Sequence, residues 1–206
     1  MAQMVLEFPH MADYSAASFL PTQGSEVARK VLQDFERGIL CVWGAPGSGK
    51  THLLEVWAAR HGIEVNKFND GPFSALDDLQ DLDRDDQERL FHWLNGGGKT
   101  GALVVASRKP VVDLQGLLPD VRSRLSAGQA VELLPPSEDE LGQVAGKWAT
   151  DRQLVLGPGV LEFVLARAER SVPALRDLVE RLDRLSLEEK RGITVPLARK
   201  VLSDSL

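Results

Sequence analysis

The sequence contains 206 residues, of which 43% are hydrophobic and 26% charged, a composition typical of a globular protein with a buried core. A formal net charge of −6 argues against a protein that coats nucleic acid through its overall electrostatic field. The single cysteine, Cys41, excludes an internal disulfide and a thiolate metal site, and its apolar surroundings favour a core position. No signal-peptide pattern or run of about 20 apolar residues occurs, so we expect a cytoplasmic protein that does not span a membrane.

The chain begins with a short apolar segment, residues 3–8, whose sequence is Gln-Met-Val-Leu-Glu-Phe. Two interpretations are open. The segment is either a short strand packed on the body of the protein or a linear motif that places Leu6 and Phe8 in pockets of a partner, with Gln3 fixing the register. Residues 25–35 then carry apolar side chains at helical spacing and predict a helix.

Residues 44–51 fit the pattern G-x-x-x-x-G-K-[ST], directly after the apolar run of residues 39–43. The residues from 51 to 60 have a helical apolar pattern, so the motif lies between a buried strand and a helix N-terminus, the context that a phosphate-binding loop requires. The alternative is a tight turn without a ligand. The predicted nucleotide-binding residues are Gly44, Pro46, Gly47, Ser48, Gly49, Lys50, Thr51 and His52.

Within this loop, Lys50 is expected to reach the β- and γ-phosphates, and the Thr51 hydroxyl to bind Mg²⁺. Residues 63–68 alternate enough to predict a second strand, and residues 73–76 predict a third that ends at Asp77 and Asp78. At such a position Asp77 is the candidate metal partner, and Asp78 is the candidate for polarising a water. Residues 77–88 hold seven acidic side chains in all, so most of them should be solvated helix surface or helix caps.

A helix is predicted over residues 87–94 and a buried strand over residues 101–106, followed by Ser107, Arg108 and Lys109, which could sense a γ-phosphate. The segment 117–125 carries Arg122 and Arg124 between apolar residues and leads to a last strand at residues 130–134. Pro135-Pro136 then separates the predicted α/β domain from a helical remainder.

The helical remainder starts with a capping box of Ser137 and Glu140 and contains four predicted helices. Arg176 lies beside the apolar stripe of the third helix and could reach toward a bound nucleotide. The predicted organisation is an N-terminal peptide over residues 1–10, a nucleotide-binding α/β domain over residues 11–136 and a helical domain over residues 137–206.

The order of these parts resembles the AAA+ ATPases and, within them, the DnaA initiator family, with the closest likeness to its short Hda-type homologues. The similar stretches are residues 107–110, 118–125 and 171–182, and residues 3–8 resemble the peptide by which such homologues dock on the sliding clamp. The resemblance implies a P-loop AAA+ domain, with a parallel sheet sandwiched by helices, followed by a small all-α lid domain.

The resemblance also implies roles for individual residues. Arg124 matches the arginine finger, with Arg122 as the near alternative, and Arg176 matches the sensor-2 arginine of the lid. Asp77 and Asp78 match the Walker B pair. The implied ligands are ADP or ATP with Mg²⁺. The implied partners are DnaA and the β sliding clamp of DNA polymerase III, the latter through Gln3, Leu6 and Phe8, and a homo-oligomer remains open.

By the same resemblance, the protein would promote hydrolysis of DnaA-bound ATP and so restrain replication initiation. Three departures qualify it: a short connection between Phe68 and Asp77, no helix-turn-helix domain, and Arg108 where the family usually has Asp. We therefore expect no origin melting, no sequence-specific DNA binding and weak intrinsic hydrolysis.

Three alternatives stay open on the sequence. The first is a self-sufficient AAA+ ATPase that remodels or loads a nucleic-acid complex. The second is a small-molecule kinase built on the same loop. The third concerns Arg124 alone, which could pair with a carboxylate of the 77–88 segment and have only a structural role.

Overall fold

The computed structural model describes residues 13–68, 71–96 and 101–203. They form two compact units, one spanning Tyr14–Pro135 and the other beginning at Pro136. The residues predicted to dock on a partner, Gln3, Leu6 and Phe8, lie outside the described ranges. None of the helices in these ranges is both long enough and apolar enough to cross a bilayer.

The first unit is an α/β fold built on four parallel strands in the order β2-β3-β1-β4. Parallel strands need crossover connections, and helices supply them. This arrangement confirms the predicted fold class. The strands are β1 (Gly38–Trp43), β2 (Phe73–Leu76), β3 (Ala102–Ser107) and β4 (Gln129–Glu132), and the main helices are α1 (Glu26–Gln33), α2 (Lys50–Arg60), α3 (Arg84–Asn95) and α4 (Pro119–Ser126).

Strands β1, β2 and β3 are covered on both faces, and their alternate residues enter different cores, whereas only Val131 of β4 is buried. Leu40 and Val42 of β1 pack with α1 and α2, whereas Cys41 packs with α3 and α4. Cys41 is thus a core residue, as predicted, and burial raises the pKa of its thiol to about 12. The first core thus joins all four strands, and the second joins β1, β2 and β3.

The strand predicted over residues 63–68 is wrong. The chain there makes a turn with Asn66 in the left-handed region (φ 61°), which interrupts an extended conformation. Asn66 still contacts the edge of the sheet, because its N–H donates to the Ala75 carbonyl (2.8 Å). The alternating apolar pattern has another cause: Ile63 and Val65 pack on the α2 side of the sheet and Phe68 on the other side.

One histidine of this unit is buried just after α2. The His61 ring lies between Trp57 and Phe73, with centroid distances of 4.4 and 4.3 Å, and its Nδ1 is 3.8 Å from Glu36 Oε2. Burial lowers the pKa of His61, and the Glu36 carboxylate opposes that shift. Protonation of this ring therefore acts against the folded state.

Between Pro136 and Ser203 the second unit consists of helices joined by loops, with one bridge between Leu156 and Ile193. The predicted capping box is confirmed, since the Ser137 N–H donates to Glu140 Oε2 (2.8 Å) at the start of the first helix. The apolar stripes of the four helices meet in one core centred on Leu175, Leu178 and Leu182. The helices are α5 (Glu138–Asp151), α6 (Val160–Leu165), α7 (Val172–Glu189) and α8 (Val195–Ser203).

Candidate functional site

The glycine-rich loop, residues 44–49, joins β1 to α2 as predicted. Gly44 is required sterically, because an added Cβ would lie 2.2 Å from the Leu133 carbonyl oxygen. The Gly44 N–H donates to the Ser107 carbonyl (3.1 Å), which ties the start of the loop to the end of β3. At the other end, Gly49 has a φ of 99° and precedes the first helical residue. Gly49 offers no side-chain cap to α2, and the backbone N–H groups of a first helical turn suit an anion.

Lys50 and Ser48 supply buried polar groups in this loop. Lys50 is only 7% exposed, and its Nζ donates to the carbonyls of Gly44 (2.8 Å) and Ala45 (2.9 Å). Burial lowers the pKa of Lys50, whereas the carboxylates of Asp77 and Asp78 oppose that shift. The Ser48 hydroxyl is buried and finds no hydrogen-bond partner in the described ranges. A buried cation beside an unpaired donor fits a phosphate group.

Thr51 and Asp77 meet at the end of β2. The Thr51 hydroxyl donates to Asp77 Oδ2 (2.5 Å), and the Asp78 N–H donates to Asp77 Oδ1 (2.8 Å). The Asn66 side chain fixes the backbone here, since its Oδ1 accepts from the Asp77 N–H (2.8 Å). No group of three or more His, Cys, Asp or Glu side chains in the described ranges could hold a metal alone. A hydroxyl and one carboxylate do suit Mg²⁺, which commonly shares its coordination with phosphate oxygens and waters.

Asp78 does not face the loop freely. It is exposed, has a left-handed backbone (φ 49°) and accepts a hydrogen bond at Oδ1 from Gln80 Nε2 (2.7 Å). Arg108, at the end of β3, lies 3.7 Å from Asp78 Oδ1 and 3.0 Å from Asp81 Oδ2. Ser107, the other expected sensor residue, donates its hydroxyl to the Lys109 carbonyl (2.7 Å). The strand end therefore places a cation against the candidate water-polarising acid.

His52, the third residue of α2, faces the segment that precedes α1. Its Nε2 lies 2.8 Å from the Ser15 carbonyl oxygen and 3.2 Å from Ser18 Oγ. The rings of Tyr14 and Phe19 contact the imidazole edge-on, at centroid distances of 5.4 and 5.0 Å. These contacts of His52 hold residues 14–19 against the start of α2.

Arg124, on α4, is exposed and contacts the C-terminal end of α3. Its Nη2 donates to Asn95 Oδ1 (2.6 Å), its Nη1 to the Leu94 carbonyl (3.4 Å), and its guanidinium lies 5.7 Å from the centroid of the Phe91 ring. The ion pair considered above, with a carboxylate of residues 77–88, is not found within the described part of the chain. Arg122 makes one long hydrogen bond, to the Leu114 carbonyl (3.5 Å).

The carboxylates of residues 77–88 have nearer partners than Arg124. Asp83 caps α3 by accepting from the Asp86 N–H (2.8 Å), and Arg84 and Arg89 pair with acids of the same helix. Most of this acidic segment is solvated helix surface or cap, as its composition predicted. Of these acids, Asp77 contacts Thr51, and the charges of Asp77 and Asp78 act on Lys50.

Arg176 lies in the helical unit, on α7. It is exposed, and its Nε donates to Glu180 Oε1 (3.2 Å), the oxygen that also accepts from Arg152 Nη2 (2.8 Å). Arg152 and Arg176 thus both donate to the Glu180 carboxylate of α7. The role of Arg176 toward nucleotide stays a prediction.

The sequence analysis did not identify three amide residues that contact the candidate site residues: Asn66, Gln80 and Asn95. In the sequence each is an ordinary amide in a loop or at a helix end. In the structure each makes a hydrogen bond to a residue 11 to 29 positions away in the chain. The only signal available was position, since Asn66 and Gln80 flank the strand that ends at Asp77. Amides at such positions are common, so the pattern does not single them out.

Comparison with known proteins shows what the two units of this chain are similar to. The family model for the lid domain of Hda matches residues 140–202. An uncharacterized protein of Haemophilus influenzae is 28% identical over 199 residues, covering 85% of this chain and 86% of that protein. Domain III of the replication initiation protein DnaA from Thermotoga maritima superposes with a TM-score of 0.79 and 22% identity, covering 96% of this chain and 98% of that one.

A second similar structure is AMPPCP-bound DnaA from Aquifex aeolicus, with a TM-score of 0.64 and 19% identity, covering 82% of this chain and 64% of that one. At this level of identity, the two DnaA structures establish the fold. The match to the lid model lies in the helical unit. It is therefore independent of the loop motif, which many nucleotide-binding proteins share.

Proposed function

We propose that this chain is an Hda-like AAA+ protein of the DnaA family, and that it binds an adenine nucleotide and acts on a second protein, DnaA. In this function it promotes hydrolysis of DnaA-bound ATP, together with the sliding clamp loaded on DNA. The observation that carries the proposal is the exposed Arg124, held by neutral acceptors at the end of α3.

The chain's own nucleotide would be held by the loop between β1 and α2. Lys50 and the unpaired Ser48 hydroxyl support a phosphate group in this loop, and the AMPPCP in a similar DnaA structure supports adenine nucleotides as the class. Thr51 and Asp77 would hold Mg²⁺, which would neutralise charge on the phosphates when bound.

Arg124 would act on ATP held by the neighbouring DnaA. Its partners, an amide oxygen, a backbone carbonyl and an aromatic ring, orient the guanidinium without cancelling its charge. A guanidinium offered to another subunit's phosphates offsets charge that develops during phosphoryl transfer, which contributes about 10³–10⁵ in rate in GTPases. Arg122 is the matched control, because its hydrogen bond to the Leu114 carbonyl (3.5 Å) is weaker than that of Arg124 to Asn95 (2.6 Å).

Two further residues or segments complete the proposal. Arg176, by its resemblance to the sensor-2 arginine, would contact nucleotide from the lid. Residues 3–8, through Gln3, Leu6 and Phe8, would bind the clamp as an extended peptide and bring the protein to loaded DNA. Both roles rest on the family resemblance and on the residue types.

The test is hydrolysis of ATP bound to purified DnaA, followed in four mixtures: DnaA alone, with this protein, with DNA-loaded clamp, and with both. We expect acceleration only in the fourth mixture. A self-sufficient ATPase would instead turn over ATP without DnaA, and the contact of Arg108 with Asp78 argues against that alternative.

A further inference from the structure

Arg108 and two aspartates form an ion-pair network where two neighbouring strands end. Arg108 follows β3, and Asp78 and Asp81 follow β2, its neighbour in the sheet. Arg108 Nη2 lies 3.0 Å from Asp81 Oδ2 and 3.7 Å from Asp78 Oδ1. All three side chains are about half exposed, so the network is open to solvent and to the loop.

Gln80 closes this network. Its Nε2 donates to Asp78 Oδ1 (2.7 Å) and to Asp81 Oδ2 (3.1 Å), and its Oε1 accepts from the Arg108 N–H (3.1 Å). The same oxygen of Asp78 therefore faces both an amide donor and a guanidinium. A water that used this oxygen would compete with both groups.

We infer that Arg108 is a brake on ATP hydrolysis at this chain's own nucleotide site, because it engages Asp78 in the network with Gln80 and Asp81. The inference rests on the proposed nucleotide site. In hydrolysis, the oxygen of a water bonds to the γ-phosphorus and the bond from that phosphorus to the bridging oxygen breaks. ADP leaves with the electron pair, and the water proton passes to a base. Asp78 is the carboxylate placed for that base, and the network occupies it.

Such a network has little to do with holding the fold together. Ion pairs between exposed side chains contribute little to stability, because water screens them and the long side chains lose freedom. The loop and the sheet are held by buried contacts instead, including the bond from the Gly44 N–H to the Ser107 carbonyl. A change at Arg108 should therefore alter chemistry at the site without unfolding the protein.

The central test replaces the cation by a neutral side chain of similar length, Arg108→Gln. Hydrolysis of bound ATP is followed in a single turnover by the full chain without DnaA. We expect a rate increase of about tenfold or more, since a positioned base contributes roughly 10²–10⁴-fold. In the double variant Arg108→Gln, Asp78→Asn the rate should return to the wild-type value. The matched control is Arg89→Gln, whose partner Asp86 (3.2 Å) is outside the network.

A second measurement does not depend on turnover. In the nucleotide-free protein, Arg108→Gln leaves Asp78 and Asp81 without their cation, so Mg²⁺ should raise the melting temperature more than it does in the wild type. The Arg89→Gln control should respond as the wild type does. Without Mg²⁺, the melting temperatures of the three proteins should agree within a few degrees.

A wild-type rate in Arg108→Gln, with nucleotide bound normally, would overturn the inference. So would a selective loss of ATP affinity with ADP affinity retained, because Arg108 would then be a ligand of the γ-phosphate. A wild-type protein that binds neither ADP nor ATP is a different result, since it removes the proposed nucleotide site and the inference with it.

Discussion

Replacing Arg124 by alanine separates a catalytic role from a structural one. Among the described residues Arg124 has three partners: the Asn95 side chain, the Leu94 carbonyl and the Phe91 ring. If Arg124 acts on DnaA-bound ATP, Arg124→Ala should keep the fold, the nucleotide affinity and clamp capture, and lose only the stimulation of hydrolysis. The guanidinium would then contribute in the transition state at the partner's site.

The contacts of Arg124 set the size of each effect. Its hydrogen bond to Asn95 contributes about 1 kcal/mol, and the exposed contact with Phe91 contributes about 0.5–1 kcal/mol. The bond to Leu94 is long (3.4 Å) and adds little. The free energy of unfolding should thus fall by about 1–2 kcal/mol, which lowers the melting temperature by roughly 2–8 °C. Loss of an arginine finger, by contrast, raises the activation free energy for hydrolysis of DnaA-bound ATP by about 4–7 kcal/mol.

The assay measures hydrolysis of DnaA-bound ATP with loaded clamp, alongside a thermal melt of each variant. Arg122→Ala is the matched control, because it removes an equal charge two residues away and only one hydrogen bond of 3.5 Å. Stimulation at the wild-type rate by Arg124→Ala would refute the reasoning. Loss of stimulation by Arg122→Ala alone would move the finger to Arg122, and a much larger drop in melting temperature would mean that Arg124 is structural.

Three further predictions concern other parts of the chain. Lys50→Ala should abolish binding of ADP and ATP in calorimetry while the circular dichroism spectrum stays that of the wild type, because Lys50 supplies charge to the phosphates; retained affinity would remove the loop assignment. Replacing Gln3, Leu6 and Phe8 together by alanine should abolish capture on immobilised clamp and leave nucleotide affinity unchanged, and undiminished capture would favour a structural role for the segment. Because burial lowers the pKa of His61 below the unfolded value of 6.5, the unfolded chain binds the proton first. Urea titrations should therefore show a stability contribution that is present above pH 6.5 and lost as the pH falls through the folded-state pKa, and His61→Phe should flatten this dependence.

Local signals in the sequence were enough for most elements of the fold. Ser137 and Glu140 act three residues apart, and the capping box forms as their spacing predicts. The glycine-rich loop between β1 and α2 is another case, since glycine spacing and the flanking apolar runs act within a few residues. Residues 63–68 show where such signals fail. The apolar residues of this segment alternate because they pack on both sides of the sheet. The left-handed backbone of Asn66 prevents the segment from pairing as a strand.

The sequence by itself therefore determined the parts: a phosphate-binding loop, acids after a strand and a helical unit with its own apolar core. Only the tertiary structure decided which parts meet. The sheet order β2-β3-β1-β4 brings Thr51 to Asp77 across 26 residues and Arg108 to Asp81 across 27. It also gave Arg124 an amide partner on α3 in place of a carboxylate. The reason is physical, because hydrogen bonds within a turn or helix depend on near neighbours, whereas contacts between distant side chains depend on strand order and register.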